Sequence, residues 1–185
     1  AEMREVLALS EKTRSETRGY FDIRRADRTL DPSGLVKGWA LRNAADRIGA
    51  RGHTDFYVDG GGDVEVRGRA ADGGPWSIGI RHPFQPERIV KVLRLTEAGI
   101  ATSGTYLRGT HIYDPVHGHA PAQEIASLTV VGPNVYEADR FATAAFAMGE
   151  AGIAFIESIA GLEGYMIDNQ GMATMTTGFV RYTAG

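Results

Sequence analysis

A chain of 185 residues is the length of one domain, and it can bury about 70% of its unfolded surface, enough for a true hydrophobic core. Apolar residues make up 43% and charged residues 23%, and 20 Lys plus Arg against 23 Asp plus Glu leave a net charge of −3, with no basic excess to serve nucleic acid. No apolar run reaches the ~18 residues of a membrane-spanning helix, the opening Ala1-Glu2-Met3-Arg4-Glu5 does not read as a signal peptide, and the absence of cysteine excludes disulfides and thiolate metal sites while leaving the compartment undecided.

Residues 1–18 read as a helix with Met3, Val6, Leu7 and Ser10 at helical spacing, stopped by Gly19. A short extended segment follows, Tyr20 to Ile23, then a charged turn through Arg24 to Asp27. A second helix is expected from about Leu35 to Ile48, with Val36, Ala40, Ala44 and Ile48 at steps of four and Gly49 and Gly52 closing it. The middle of the chain reads as strands: 55–58, then 64–68 and 76–81 as a hairpin across Asp72-Gly73-Gly74, then 89–96 and 127–132. Asn134 with Glu137 three residues on predicts a capping box for a helix from Val135 to Met148. Helix resumes over 153–159, and 165–168 with 172–177 form a terminal hairpin around Asn169-Gln170-Gly171. The order is that of a single α+β domain spanning 1–185, without repeats or a linker. Glycine is the compositional outlier, 24 residues or about 13% against a usual ~7%, which points to tight turns and to backbone pressed close to something.

Five segments invite a chemical reading, and each also has a plain structural one. Leu30 to Trp39 places Lys37 in the first turn of a helix, where a cation opposes the helix dipole unless an anion sits nearby; a solvated lysine explains it as well. Gly60-Gly61-Gly62-Asp63 follows a strand and lacks the helix that a dinucleotide fingerprint needs, so a glycine bulge before a hairpin is the better reading. Ala101 to Arg108 gathers hydroxyls and Tyr106 around Gly104, which a turn with a satisfied tyrosine also accounts for. His111, His117 and His119 suggest zinc, but their spacing lacks the one-turn pairing of helical sites and Pro115 and Gly118 forbid a helix, which favours one functional histidine and two exposed ones. Asp139 and Thr143 lie four apart on one helix face, a hard-oxygen pair that suits magnesium, or equally an acid in the first turn and a hydroxyl on a mixed face.

Taken in order, these segments resemble the ApbE-type FAD:protein FMN transferases, the flavin transferases. The family's T-x-G-x-F-D is similar to Thr17 to Asp22, its D-x-x-G-x-x-K-G to Asp31 to Gly38, its G-G-D to Gly61-Gly62-Asp63, and its I-R-x-P to Ile80 to Pro83. Its S-G-x-Y resembles Ser103 to Tyr106, its H-I-x-D-P-x-x-G resembles His111 to Gly118, and its A-D-x-x-A-T resembles Ala138 to Thr143. The resemblance implies a T-fold-like α+β architecture, a mixed or antiparallel sheet packed with helices. It implies that FAD is the substrate, bound with Mg²⁺ or Mn²⁺, and that FMN passes to a Ser or Thr hydroxyl of an acceptor flavoprotein subunit while AMP leaves. It implies a metal held by the Gly34 carbonyl, Asp139 and Thr143, and cofactor contacts from Tyr20, Phe21, Asp22, Asp31, Lys37, Gly62, Asp63, Ser103, Gly104 and Ile112, with His111 as general base. These roles suit elementary chemistry: attack on a pyrophosphate needs charge neutralised on its non-bridging oxygens, and an alcohol nucleophile needs a base of pKa near ~6.5.

The pattern departs from the family in three places. The family's N-terminal segment, with an M-G-T-like strand that contributes to the flavin site, has no counterpart here, which implies either a shortened or processed form or a second chain supplying those strands. Ser33 stands where many members have glycine, and the stretch from Asp22 to Leu30 is short. Two further readings of the site therefore stay open beside the transferase: an FAD pyrophosphatase that releases FMN and AMP to water, and a non-catalytic flavin-binding or structural fragment. Family members are often exported and membrane-associated in bacteria, and nothing in this chain decides its localisation.

Overall fold

Every residue from Ile125 to Gly132 is buried, because this strand lies in the middle of a sheet that is covered on both faces. The computed structural model describes residues 2–104, 112–118 and 125–183. Its elements are α1 (Glu2–Glu16), α2 (Ser33–Gly49), β1 (Phe56–Gly60), β2 (Asp63–Arg67), β3 (Trp76–His82), β4 (Gln85–Leu95), β5 (Ala98–Gly104), β6 (Ile125–Gly132), α3 (Val135–Ala147), α4 (Ala151–Glu157), β7 (Glu163–Asp168) and β8 (Ala173–Met175), with a closing 3₁₀ turn over Thr177–Tyr182. Six strands form an antiparallel sheet in the order β1-β2-β5-β6-β7-β8, and β3 with β4 form a separate two-stranded ribbon. This is the α+β, antiparallel-sheet-with-helices class that the sequence implies.

Alternation along the strands builds two cores. Leu128, Val130 and Met166 point to α3 and α4, where Phe141, Ala145, Phe146 and Ile156 close over them. Val64, Val66, Ile100, Val131 and Ile167 point the other way, to Ile80, Leu93 and Leu95 of the ribbon and to Phe179 of the 3₁₀ turn. A third cluster ties α1 to α2 and α3 through Val6, Phe21, Leu35 and Tyr136.

The expected hairpin between 64–68 and 76–81 does not form. β2 pairs with β1 and β5, whereas β3 pairs with β4 on the far face of the sheet. The turn at Asp72 to Gly74 carries the chain across instead, with Gly73 at φ +77° and the Trp76 indole donating back to the Arg67 carbonyl at 3.1 Å. Both segments alternate as half-buried strands should, but alternation does not name a partner. The glycine run is itself a hairpin turn: Gly60 pairs with Asp63, leaving Gly61 and Gly62 at φ +71° and +97° as the two-residue loop that left-handed backbone favours.

Two helix faces depart in part from expectation: Val6 and Ser10 of α1 are buried as the spacing implies, but other positions are not. On α1, Met3 and Leu7 are exposed and the buried seam runs through Val6, Ser10 and Thr13 to Thr17 beyond it. The three hydroxyls tolerate burial because each donates to a carbonyl four residues back at 2.8 Å. On α2 the buried positions are Leu35, Gly38 and Ala45, and Ala40 faces solvent. Asn134 caps α3 as predicted, its Oδ1 accepting the Glu137 amide at 3.0 Å, but the Glu137 carboxylate turns to Arg140 instead of completing the box. Arg140 is 3% exposed, stacked at 4.1 Å over Phe141, and reaches Glu16, so it binds α3 to the end of α1.

β5 carries no strand signal in the sequence because its Ala98-Gly99-Ile100-Ala101 start is small and fully buried. A Cβ on Gly99 would lie 1.9 Å from the Val135 amide nitrogen, so the first turn of α3 rests directly on the strand. Beside that contact, buried Glu65 on β2 accepts the Val135 amide at 2.6 Å. Burial pushes the Glu65 carboxyl above its ordinary value, and the opposing pull of the Val135 amide and Arg67 does not cancel it. A carboxyl raised on folding favours the fold at acid pH and loses that contribution as pH rises through its folded pKa. Glu65→Gln, which keeps the acceptor and drops the charge, is therefore expected to gain in melting temperature relative to wild type between about pH 4 and pH 7. A difference that stays flat or shrinks over that range would count against the burial argument.

Candidate active site

Two glycines one turn apart on α2 face Asp139 and Thr143, one turn apart on α3. A Cβ on Gly34 would lie 2.8 Å from the Thr143 methyl, and one on Gly38 would lie 2.7 Å from the Asp139 Cβ and 2.8 Å from the Val135 carbonyl oxygen. The helices run antiparallel, so Gly34 pairs with Thr143 and Gly38 with Asp139, at a separation that only glycine permits. In that seam the Gly38 amide donates to Asp139 Oδ2 at 2.8 Å, and the Thr143 hydroxyl donates to the Gly34 carbonyl at 3.2 Å. Asp139 is 6% exposed. A carboxylate, a hydroxyl and a carbonyl oxygen thus converge at the head of α2.

They open into a cleft at the protein surface. One wall is the start of α2, with Ser33, Gly34 and Lys37; another is the end of β5, with Thr102, Ser103 and Gly104. Tyr20, Phe21, Asp22 and Asp31 form the rim on one side, and Ile112, Tyr113 and Pro115 close the other. The two rims are tied together, since the Tyr113 hydroxyl donates to the Asp22 carbonyl at 3.0 Å.

The charges around the cleft are held by neighbours. The Asp22 carboxylate accepts Arg14 Nε at 2.9 Å and the Arg24 amide at 2.9 Å. Asp31 accepts the Ser33 amide at 3.1 Å at the head of α2 and forms an ion pair with Arg25. Burial pushes the Asp31 carboxyl up, but Arg25 and Ser33 outweigh it and hold the group below its ordinary value, so it is ionised at neutral pH. Lys37 Nζ lies 2.5 Å from Asp63 Oδ2. Asp114 anchors its loop by accepting the Val116 and His117 amides, and its Oδ2 lies 2.8 Å from His117 Nδ1. Burial raises the Asp114 carboxyl, and His117 and those amides lower it further than burial lifts it.

The cleft therefore brings together Tyr20, Phe21, Asp22, Asp31, Gly34, Lys37, Ser103, Gly104, Ile112, Asp139 and Thr143 of the residues the sequence singled out. Gly62 and Asp63 line a neighbouring cavity between the sheet and the ribbon, and the Gly62 amide donates to Asp59 Oδ1. His111, Tyr106 and His119 lie outside the described residues. His117 is largely exposed, 6.0 Å from the Tyr20 ring. Among the described residues, no three His, Asp or Glu side chains cluster as a metal site. Thr102, Tyr113 and Pro115 were not anticipated as lining residues. Thr102 and Tyr113 adjoin predicted residues, and only the strand and loop geometry shows which way they face.

An α+β fold that sets three oxygen donors and a lysine at the head of one helix forms a cleft with the chemistry to hold a cation beside an anion. The chain belongs to the ApbE family, whose model matches residues 1–166. It is 33% identical over 130 residues to an FAD:protein FMN transferase of Vibrio cholerae serotype O1, covering 65% of this chain and 39% of that protein. It is 30% identical over 161 residues to the FAD:protein FMN transferase of Escherichia coli K12, covering 82% and 46%. The chain thus spans less than half the length of these curated relatives. Among solved structures, the flavin transferase ApbE from Vibrio cholerae superposes with a TM-score of 0.84 at 24% identity over 98% of this chain and 77% of that one. The ApbE protein of Thermotoga maritima superposes with a TM-score of 0.89 at 20% identity over 100% and 79%. At those identities the structural likeness speaks for the fold.

The seam between α2 and α3 makes a direct prediction. Gly38→Ala forces the helices apart and is expected to cost about 1–3 kcal/mol, the usual range for overpacking a closed contact. Urea unfolding measures this, and an unchanged midpoint would mean that the helices are not held at glycine distance.

Proposed function

We propose that this chain is the catalytic part of an FAD:protein FMN transferase, moving FMN from FAD to a Ser or Thr hydroxyl of an acceptor protein with release of AMP. The observation that carries this reading is the convergence of the Asp139 carboxylate, the Thr143 hydroxyl and the Gly34 carbonyl beside Lys37 in one cleft, in a chain of the ApbE family.

The donor set fits a divalent cation of the hard type. All three groups offer oxygen and only one is charged, which suits Mg²⁺, an ion that keeps several waters and shares its remaining positions with phosphate; oxygen donors also accept Mn²⁺. When bound, such an ion supplies charge neutralisation at the non-bridging oxygens of the diphosphate. Lys37 adds a positive charge on the same side of the cleft, and the positive end of the α2 dipole favours an anion there. Tyr20 and Ile112 offer apolar surface at the rim for the flavin ring. The acceptor's Oγ forms a bond to the FMN phosphorus, the anhydride P–O bond breaks, and AMP carries away the released charge. The hydroxyl proton passes to a base, the role that the family resemblance assigns to His111.

Incubating the chain with FAD, Mg²⁺ and a flavin-accepting protein should give covalently bound FMN and an equal amount of AMP. Asp139→Ala should lower that yield by at least about 100-fold, on the scale of losing one charge-stabilising group. AMP formed at the same rate without any acceptor would reassign the chain as an FAD pyrophosphatase. Labelled acceptor appearing equally with Asp139→Ala would refute the proposed site.

A further inference from the structure

Of the predicted cofactor contacts, Asp63 stands out because its carboxylate meets the cleft's lysine. It is 2% exposed at the first position of β2, and it lines the cavity between sheet and ribbon, next to the cleft. Its Oδ2 lies 2.5 Å from Lys37 Nζ, and its Oδ1 accepts the Thr102 amide at 3.2 Å. Thr102 lines both cavities and Lys37 lines the cleft, so the Lys37–Asp63 bridge stands in the partition between them.

We propose that Asp63 is a positioning residue, which acts on the cofactor's diphosphate by fixing where the Lys37 ammonium sits. This rests on the flavin-nucleotide reading of the cleft and replaces the direct cofactor contact that the family resemblance implies for Asp63. Lysine is a flexible point charge with four side-chain torsions, so its own chain does not fix where the ammonium sits. An ion pair with a buried carboxylate at one fixed point removes most of the ammonium's freedom and leaves protons for an anion in the cleft.

The backbone is built to hold that point still. The Gly61-Gly62 turn sets the β1–β2 register that puts Asp63 opposite Gly60. A Cβ on Gly60 would lie 2.7 Å from the Leu41 side chain, so the hairpin end packs hard against the helix that carries Lys37. Further along the same two elements, Arg67 of β2 reaches Asp46 of α2 at 2.5 Å. The glycine run thus serves as a mount for one carboxylate.

A double-mutant cycle on the chain tests this: wild type, Asp63→Asn, Lys37→Ala and the double variant, each titrated with FAD in Mg²⁺, with melting temperature recorded on the same samples. Asp63→Asn is expected to weaken FAD binding about tenfold, the scale of one hydrogen bond to a charged group, and Lys37→Ala at least as much. The double variant should bind like Lys37→Ala alone, because without the ammonium there is nothing left to position. Wild-type binding by Asp63→Asn, or a loss that adds in full to that of Lys37→Ala, overturns the positioning role; full addition is what a merely structural Asp63 would give. If Asp63→Asn melts too low to titrate, Asp63→Ser, too short to reach the ammonium, takes its place under the same criteria. A wild-type chain that binds no FAD overturns the flavin reading, and the positioning role with it.

Discussion

The closeness of α2 to α3 is the constraint on which the rest of the site depends. Gly34 and Gly38 remove the side chains that would hold the helices apart, and each glycine then brings one backbone group to a side chain across the seam. Asp139 could not be 6% exposed without a donor, because a buried carboxylate left unsatisfied is costly, and the Gly38 amide supplies one. The same approach sets the distance between the Gly34 carbonyl and the Thr143 hydroxyl. The oxygen donors are thus a consequence of helix packing: widening the seam by one methyl group moves all three at once.

The sheet contributes a second fixed frame. Asp63 and Glu65 stand two residues apart on β2 and so point to its helix-facing side, one meeting Lys37 on α2 and the other the first amide of α3. The β2–β5 register, Val64 opposite Ile100, is what brings the Thr102 amide to Asp63. A slip of one residue would turn both acids to the ribbon face and put Val64 and Val66 against the helices. The apolar ribbon core therefore guards the polar geometry on the other side of the sheet.

Much of this was legible in the sequence, and the limits have physical causes. Spacing showed Asp139 and Thr143 on one helix face, and the helix start before Lys37 was readable from Pro32 and Gly34. The ordered motifs gathered eleven residues that do line one cleft. Partners were not readable. The segments 64–68 and 76–81 both alternate, yet they belong to different sheets, because alternation records half-burial and not the neighbour that buries. β5 was missed because a strand pressed against a helix terminus needs small residues, which carry no period. On α1 the expected Val6 and Ser10 are buried but Met3 and Leu7 are not, and on α2 the seam falls on Leu35, Gly38 and Ala45 and not on the apolar steps of four, since hydroxyls and glycine, silent in a hydrophobicity pattern, make the closest contacts.

That last point bears on how the glycine excess should be read. Gly34, Gly38, Gly60 and Gly99 stand where a Cβ would meet another element at under 3 Å, and the first three set the head of α2 against α3 and the β1–β2 hairpin. Gly61 and Gly62 supply positive φ instead, but to the same end, since their turn places Asp63. A phosphate cradle would require free amides turned to the ligand, whereas the Gly38 and Gly62 amides are already given to Asp139 and Asp59. Glycine here acts mainly by letting rigid elements touch, so that the charged and oxygen-bearing side chains between them have one place to be.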